Sequence, residues 1–300
     1  MSHVPITPTM LTTAARCQMQ VYWFHVERLR FKPGLADEYG KAVEKQILSV
    51  DQVHHLATGT YLPTEALKEG IVSQMQGAVN DIDADDEDAA LYGGVEKAIG
   101  AYCDAGVRTI DVYNENRATF GGGTATTDIQ YEFDVPIADT RLRGRMDIHA
   151  GPNWTKDVKT RSLVKKRAKR RSQTQIDYDD QFASYAFANF VETGNPNQTV
   201  EPVFIFRHPN SVTIEPMQTI KKEAAYDVLE DKAYRLHKML QAGSFFPVDP
   251  SSANGWVCQA KYCGAYTAGW NRTDGFAGCP FGERAQVSIG GFERKESELK

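Results

Sequence analysis

Asp147, Asp157 and Lys159 are the residues whose types and spacing could do chemistry. They lie in "RGRMDIHAGPNWTKDVKT" (143–160), with Asp147 on one strand-like run and Asp157-Val158-Lys159 on the next. Gly151-Pro152-Asn153 between them is strong turn chemistry, and Val135, Ile137, Leu142, Met146 and Ile148 are strand-forming apolar residues. Side chains alternate along a strand, so Asp157 and Lys159 share a face while Val158 turns into the core. The Val158 backbone carbonyl can still look toward the site, and Asp147 projects onto the same face if the register allows. Two carboxylates and a carbonyl are hard oxygen donors of the kind that Mg²⁺ and Mn²⁺ take. Such ions activate water and neutralise a phosphate attacked in line, while a neighbouring lysine orients the water and stabilises developing charge. The competing reading is a solvated hairpin with ordinary surface charges, because acid-x-Lys triplets are frequent.

Two features follow directly along the chain. Arg161, Lys165, Lys166, Arg167, Lys169, Arg170 and Arg171 place seven basic residues in eleven positions, against a net charge of −5 for the whole chain. Beside a metal site this local inversion suits DNA, with phosphate contacts giving salt-dependent, sequence-independent affinity; by itself it equally suits a solvated helix face or loop. Next, "DYDDQFASYAFANFV" (177–191) has a helical pattern ended by Gly194-Asn195-Pro196. Gln181 and Tyr185 are four apart and share one helix face, where they could hydrogen-bond a DNA backbone or pack as part of the core stripe.

Taken together, "GRMD" ending at Asp147, "DVKT" from Asp157 and "QFASY" from Gln181 resemble the PD-(D/E)XK nuclease superfamily, specifically its RecB-like exonuclease branch. The resemblance implies that Asp147 and Asp157 are metal ligands, with the Val158 carbonyl, and that Lys159 is catalytic. Gln181 and Tyr185 match the branch's accessory motif. The N-terminal "ITPTMLTTAARCQMQVYWFHVERLRF" is similar to its opening helix, and "LADEYGKAVEKQI" to the helix that offers a metal-binding histidine after Gly-x-x-x. Glu44 stands at that position, and a carboxylate is a competent hard ligand.

Five cysteines occur, at 17, 103, 258, 263 and 279. The opening residues lack a basic start and apolar run, and no stretch approaches membrane-spanning length, so a cytoplasmic setting (bacterial or phage-infected cell) is expected. There, clustered cysteines suggest a metal rather than disulfides, though no Cys-x-x-Cys knuckle is present. RecB-like nucleases with a [4Fe-4S] cluster draw one cysteine from the N-terminal helix and three from the C-terminus. Cys17, Cys258, Cys263 and Cys279 match that arrangement, with zinc as the alternative for four thiolates. Cys103 reads as a helix-face thiol.

These readings set the expected architecture: an α/β, restriction-endonuclease-like core with a mixed central sheet flanked by helices. One domain spans 1–300, with N-terminal helices over 1–50, a helical insertion over 51–128, a catalytic core over 129–245, and a cysteine-rich region and tail over 246–300. Strands are expected near 201–209 and 211–217, and a long amphipathic helix over 221–243. "DIDADDED" (81–88) lacks the central Gly and closing Glu of a calcium loop, and "GLADEYGKA" has five rather than four residues between its glycines and no Ser or Thr at Ala42. No ATPase, nucleophile elbow or dinucleotide fingerprint is encoded. The expected activity is Mg²⁺- or Mn²⁺-dependent DNA exonuclease action in recombination, repair or phage DNA processing, with a possible recombination partner protein. The alternatives are a non-catalytic DNA-binding scaffold of the same fold and a structure-specific endonuclease.

Overall fold

The structure is a computed structural model and describes residues 5–28, 33–82, 87–121, 127–164 and 170–246, with Cys263 and Cys279. The chain divides into two compact units. One comprises Met1–Phe31, Ile137–Arg141 and Glu230–Lys300, the other Lys32–Pro136 and Leu142–Leu229.

In the first unit, helix α1 (Pro8–Arg16) starts on Thr7, whose side chain accepts from the Met10 N–H, with Pro8 at the first helical position. The single opening helix expected from the sequence is in fact broken. Cys17 adopts an extended backbone (φ −158°, ψ 115°) between α1 and α2 (Gln18–Val21), with its N–H donating to Thr13. A π-helical turn, Tyr22–Val26, follows. Ile6 N–H donates to the Arg141 carbonyl, Lys238 pairs with Asp139, and the Tyr22 and Phe245 rings meet at 5.1 Å.

The second unit is built on a six-stranded sheet in the order β1 (Asp128–Ile137), β2 (Thr140–Gly151), β3 (Trp154–Ser162), β4 (Gln198–Arg207) and β5 (Val212–Pro216), with β6 (Thr219–Lys221) also on β4. β2 and β3 run antiparallel around the Gly-Pro-Asn turn, with a bulge between His149 and Gly151. β3 and β4 are parallel, and β5 and β6 pair antiparallel with β4 at its two ends. The sheet is therefore mixed, as expected.

One face of this sheet presents Ile148, Ala150, Val158, Val203 and Ile205 to helices α3 (Leu35–Glu44), α5 (Thr64–Gly77) and α7 (Val95–Glu115), in one continuous apolar cluster. A π-helical segment, Lys45–Gln52, continues α3 and leads into α4 (Val53–Thr58). Short helices α6 (Glu87–Tyr92) and α8 (Arg117–Phe120) flank α7. Close packing here needs glycine: a side chain at Gly106 would collide with Ile71. On the other face, the α9 (Gln173–Asp177) and α10 (Asp180–Thr193) crossover joins β3 to β4. α10 begins on Asp179, whose carboxylate accepts from Gln181 and Phe182, and ends on Gly194 in the left-handed region (φ 73°). It packs Tyr185 edge-on against Phe133 and hydrogen-bonds Asn189 to Thr155 of β3. α11 (Glu223–Ala242) brings Tyr226 onto the rings of Phe187 and Phe190 of α10.

Candidate functional site

Alternation along β2 and β3 turns Ile148, Ala150 and Val158 to the α3–α7 face, together with Lys156, whose Nζ donates to the Thr119 and Gly121 carbonyls, and turns Asp147, Asp157 and Lys159 to the α10 face. Asp147 and Asp157 meet there. Asp147 is 8% exposed and its Oδ2 accepts from the Val158 backbone N–H at 2.7 Å, which locks it across the hairpin. Asp157 is fully buried. Lys159 Nζ donates to Asp157 Oδ1 at 2.9 Å and pairs with Oδ2 at the same distance, and the buried Oδ2 accepts no hydrogen bond of its own. Buried polar groups are normally hydrogen-bonded, so a carboxylate oxygen that accepts no hydrogen bond marks a place for a ligand.

The electrostatics follow from this crowding. Burial is the largest cause raising the Asp147 carboxyl, opposed by Lys159 and reinforced by Glu44. Burial likewise raises Asp157, with Lys159 opposing and Asp147 and Asp179 adding repulsion. Burial pulls the Lys159 ammonium down, but Asp157, Asp147 and Glu44 outweigh it and hold it above its usual value. Two carboxyls that resist ionising together, beside a lysine that stays charged, form a site that a divalent cation would relieve.

Gln181 and Tyr185 also converge on this spot. Gln181 Nε2 donates to the Tyr185 hydroxyl. Burial, then the charges of Asp157 and Asp147, hold that phenol well above its ordinary value. Glu44, at the end of α3, reaches the rim through Arg145, whose Nη2 lies 3.5 Å from Glu44 Oε1. Among the described residues, no three His, Cys, Asp or Glu side chains form a ready metal cage. The arrangement is two buried carboxylates, with Glu44 held aside by an arginine. That sparse donor set fits Mg²⁺, which typically takes one or two carboxylates and fills the remainder with water and phosphate oxygens.

Of the basic run, 165–169 (Lys165, Lys166, Arg167 and Lys169) lies outside the described residues, while Arg161 is the penultimate residue of β3. Arg170 and Arg171 are engaged within the fold: Arg170 pairs with Glu215 at 2.8 Å, and Arg171 with Asp179 at 2.7 Å. Cys17, Cys263 and Cys279 are buried cysteines of the first unit, and Cys258 lies outside the described residues. Cys103 is buried on α7. His54 and His55 sit on α4, where the His55 ring stacks on Tyr61.

Two residues of the site escaped the sequence reading. Asp179 caps α10 and acts electrostatically on Asp157; a capping acid just before a helix holding two site residues was the available signal. Arg145 precedes Asp147 by two, and the two-residue period of a strand was enough to place both on one face.

In sequence, the chain matches no family model and no curated protein. In fold, it is similar to a protein called a putative exonuclease from Eubacterium rectale, with TM-score 0.53 and 10% identity, covering 81% of this chain and 83% of that one. A second structure, SSO0001, matches at TM-score 0.30 and 12% identity, over 58% of this chain and 79% of that one. The first likeness shows a shared α/β fold, a mixed central sheet flanked by helices. Among the described residues, no helix is long and apolar enough to cross a membrane.

Proposed function

We infer that the chain is a metal-dependent deoxyribonuclease of the RecB-like type, acting as an exonuclease in recombination, repair or phage DNA processing. The observation that carries this is the Asp147–Asp157–Lys159 constellation, with a fully buried Asp157 oxygen that accepts no hydrogen bond. Asp147, Asp157 and the Val158 carbonyl would hold Mg²⁺ or Mn²⁺, with Glu44 as a further ligand. Such an ion neutralises the attacked phosphate and makes water more acidic when bound. Lys159 keeps its proton beside the two acids and offers it as a hydrogen bond to the attacking water or the developing oxyanion. Tyr185 and Gln181 exclude bulk water from Asp157 and keep its environment dry, where fixed charges act most strongly. Hydrolysis leaves a 5′-phosphate. Arg161, Lys165, Lys166, Arg167, Lys169, Arg170 and Arg171 are proposed DNA contacts.

Cys17, Cys258, Cys263 and Cys279 are proposed to hold a [4Fe-4S] cluster, with zinc as the alternative. Three cysteines buried in one unit support it. Anaerobic purification should give a brown protein with stoichiometric iron; a colourless zinc protein would reverse the assignment.

The second reading, a DNA-binding scaffold without turnover, draws on the Glu44–Arg145 contact, which occupies one of the expected ligands. Labelled linear DNA with Mn²⁺, with and without EDTA, decides between them: metal-dependent release of nucleotides is expected, and binding without cleavage would establish the scaffold. Cutting of a circular single-stranded substrate would make it an endonuclease.

A further inference from the structure

Arg145 is a cation at the mouth of an acidic site, and its present partner is a proposed metal ligand. It stands two residues before Asp147 on β2, on the same face and roughly 7 Å along the strand. Asp147 is buried, whereas the Arg145 side chain is 50% exposed, so the guanidinium sits on the solvent side of the carboxylates. Its hold on Glu44 is a single contact of 3.5 Å, at the long limit of a hydrogen bond. Arg143, one step further out, differs: its Nε and Nη2 lie 3.1 and 2.6 Å from Asp134 Oδ2. Of these two arginines, Arg143 is firmly paired and Arg145 loosely paired, and the loose one is beside the site.

The charge balance explains the pairing. Glu44, Asp147 and Asp157 are three acids against two cations, Lys159 and Arg145. A bound divalent ion reverses that balance, drawing Glu44 inward and leaving the guanidinium without need of it. A phosphodiester is then the natural acceptor, because the planar guanidinium fork matches two phosphate oxygens.

We propose that Arg145 is a phosphate-binding residue of this site, kept in reserve by Glu44 and transferred from the glutamate to the DNA backbone when a divalent ion and substrate are bound. This rests on the nuclease reading and adds to it a specific exchange of ion-pair partners. The exchange makes Arg145 a competitor of the metal and an ally of the DNA.

Those two roles give opposite signs in one variant. Mn²⁺ affinity of the DNA-free protein, by calorimetry, should tighten about threefold or more in Arg145→Gln, because a competing cation has gone. Affinity for a labelled single-stranded oligonucleotide in Ca²⁺, by fluorescence anisotropy, should weaken about tenfold to a hundredfold. Arg145→Lys should restore part of the DNA affinity, and Arg143→Gln should leave both affinities unchanged. Unaltered DNA affinity in Arg145→Gln, or weakening of Mn²⁺ and DNA together, would overturn the exchange while the nuclease reading stands. A wild-type protein that binds no Mn²⁺ would sink both.

Discussion

Asp51 and Asp157 are both completely shielded from solvent, and they are opposites in every other respect. Asp51, in the π-helical segment after α3, has its charge fully answered. Its Oδ2 accepts from the Tyr113 hydroxyl at 2.7 Å and its Oδ1 from the Leu62 N–H at 2.8 Å, and Arg117 Nε lies 3.4 Å away. Gln52 donates in turn to the Tyr113 hydroxyl at 2.7 Å, and the Arg117 guanidinium lies over the Tyr61 ring. Asp157 has one lysine shared between its two oxygens, a neighbouring acid and an oxygen that accepts no hydrogen bond of its own. A buried carboxylate whose bonds are complete holds helices together; one whose bonds are incomplete waits for something to complete them. Depth of burial alone does not distinguish architecture from chemistry. The satisfaction of each oxygen does.

The largest expected effect is on cleavage. Asp157→Asn should lower the rate on the order of a thousandfold or more in an end-labelled DNA assay, while its melting curve stays cooperative. A fully active Asp157→Asn would erase the contrast. Asp51→Ala should do the reverse, leaving Arg117 and Tyr113 without their acceptor at a cost of about 3–5 kcal/mol in urea unfolding; an unchanged midpoint would show that the network is ornamental. A smaller effect separates the two acids by pH. Burial, the leading cause, lifts Asp147 to about 6 and Asp157 to about 7, above their ordinary value. A carboxyl whose folded value is raised contributes stability that is present below its unfolded value and lost as pH rises through the folded one. Metal-free stability should therefore decline between about pH 4 and 7. Mn²⁺ should raise the melting temperature more at pH 8 than at pH 5.5, because it requires both carboxylates ionised. Equal stabilisation at both pH values would break the link. The smallest pair removes one hydroxyl from each acid's surroundings: Tyr113→Phe should cost ~1 kcal/mol of stability, and Tyr185→Phe should slow cleavage by roughly fivefold with less effect on unfolding.

The hairpin and the helix after it were legible because their signals are local. Gly151-Pro152-Asn153 dictated the turn, alternation placed Asp157 and Lys159 together, and the four-residue spacing placed Gln181 beside Tyr185. Two of the three strands after Gly194 and the long helix beyond them were likewise local patterns, whereas the three-residue β6 was too short to leave one. What stayed hidden was pairing across distance. Nothing in the sequence near Glu44 announces Arg145, one hundred and one positions later, because that contact depends on how α3 meets the sheet edge. The Asp51–Tyr113 bond spans 62 positions for the same reason. The break at Cys17 was missed because the residues on both sides favour a helix and only its backbone departs from one.

The wide turns between Glu44 and Asp51 set the phase between two parts of the molecule. Over Lys45–Gln52 the backbone bonds skip an extra residue, as where Val53 N–H reaches back to Leu48. Each residue of an ordinary helix advances the chain by about 100° around its axis. Removing one residue from this stretch would swing Glu44 by about that angle relative to Asp51. Either the rim of the Asp147–Asp157 site or the Asp51–Tyr113 clamp would then face the wrong way. In this stretch the number of residues, more than their identity, acts as a gear tooth that keeps scaffold and site in step.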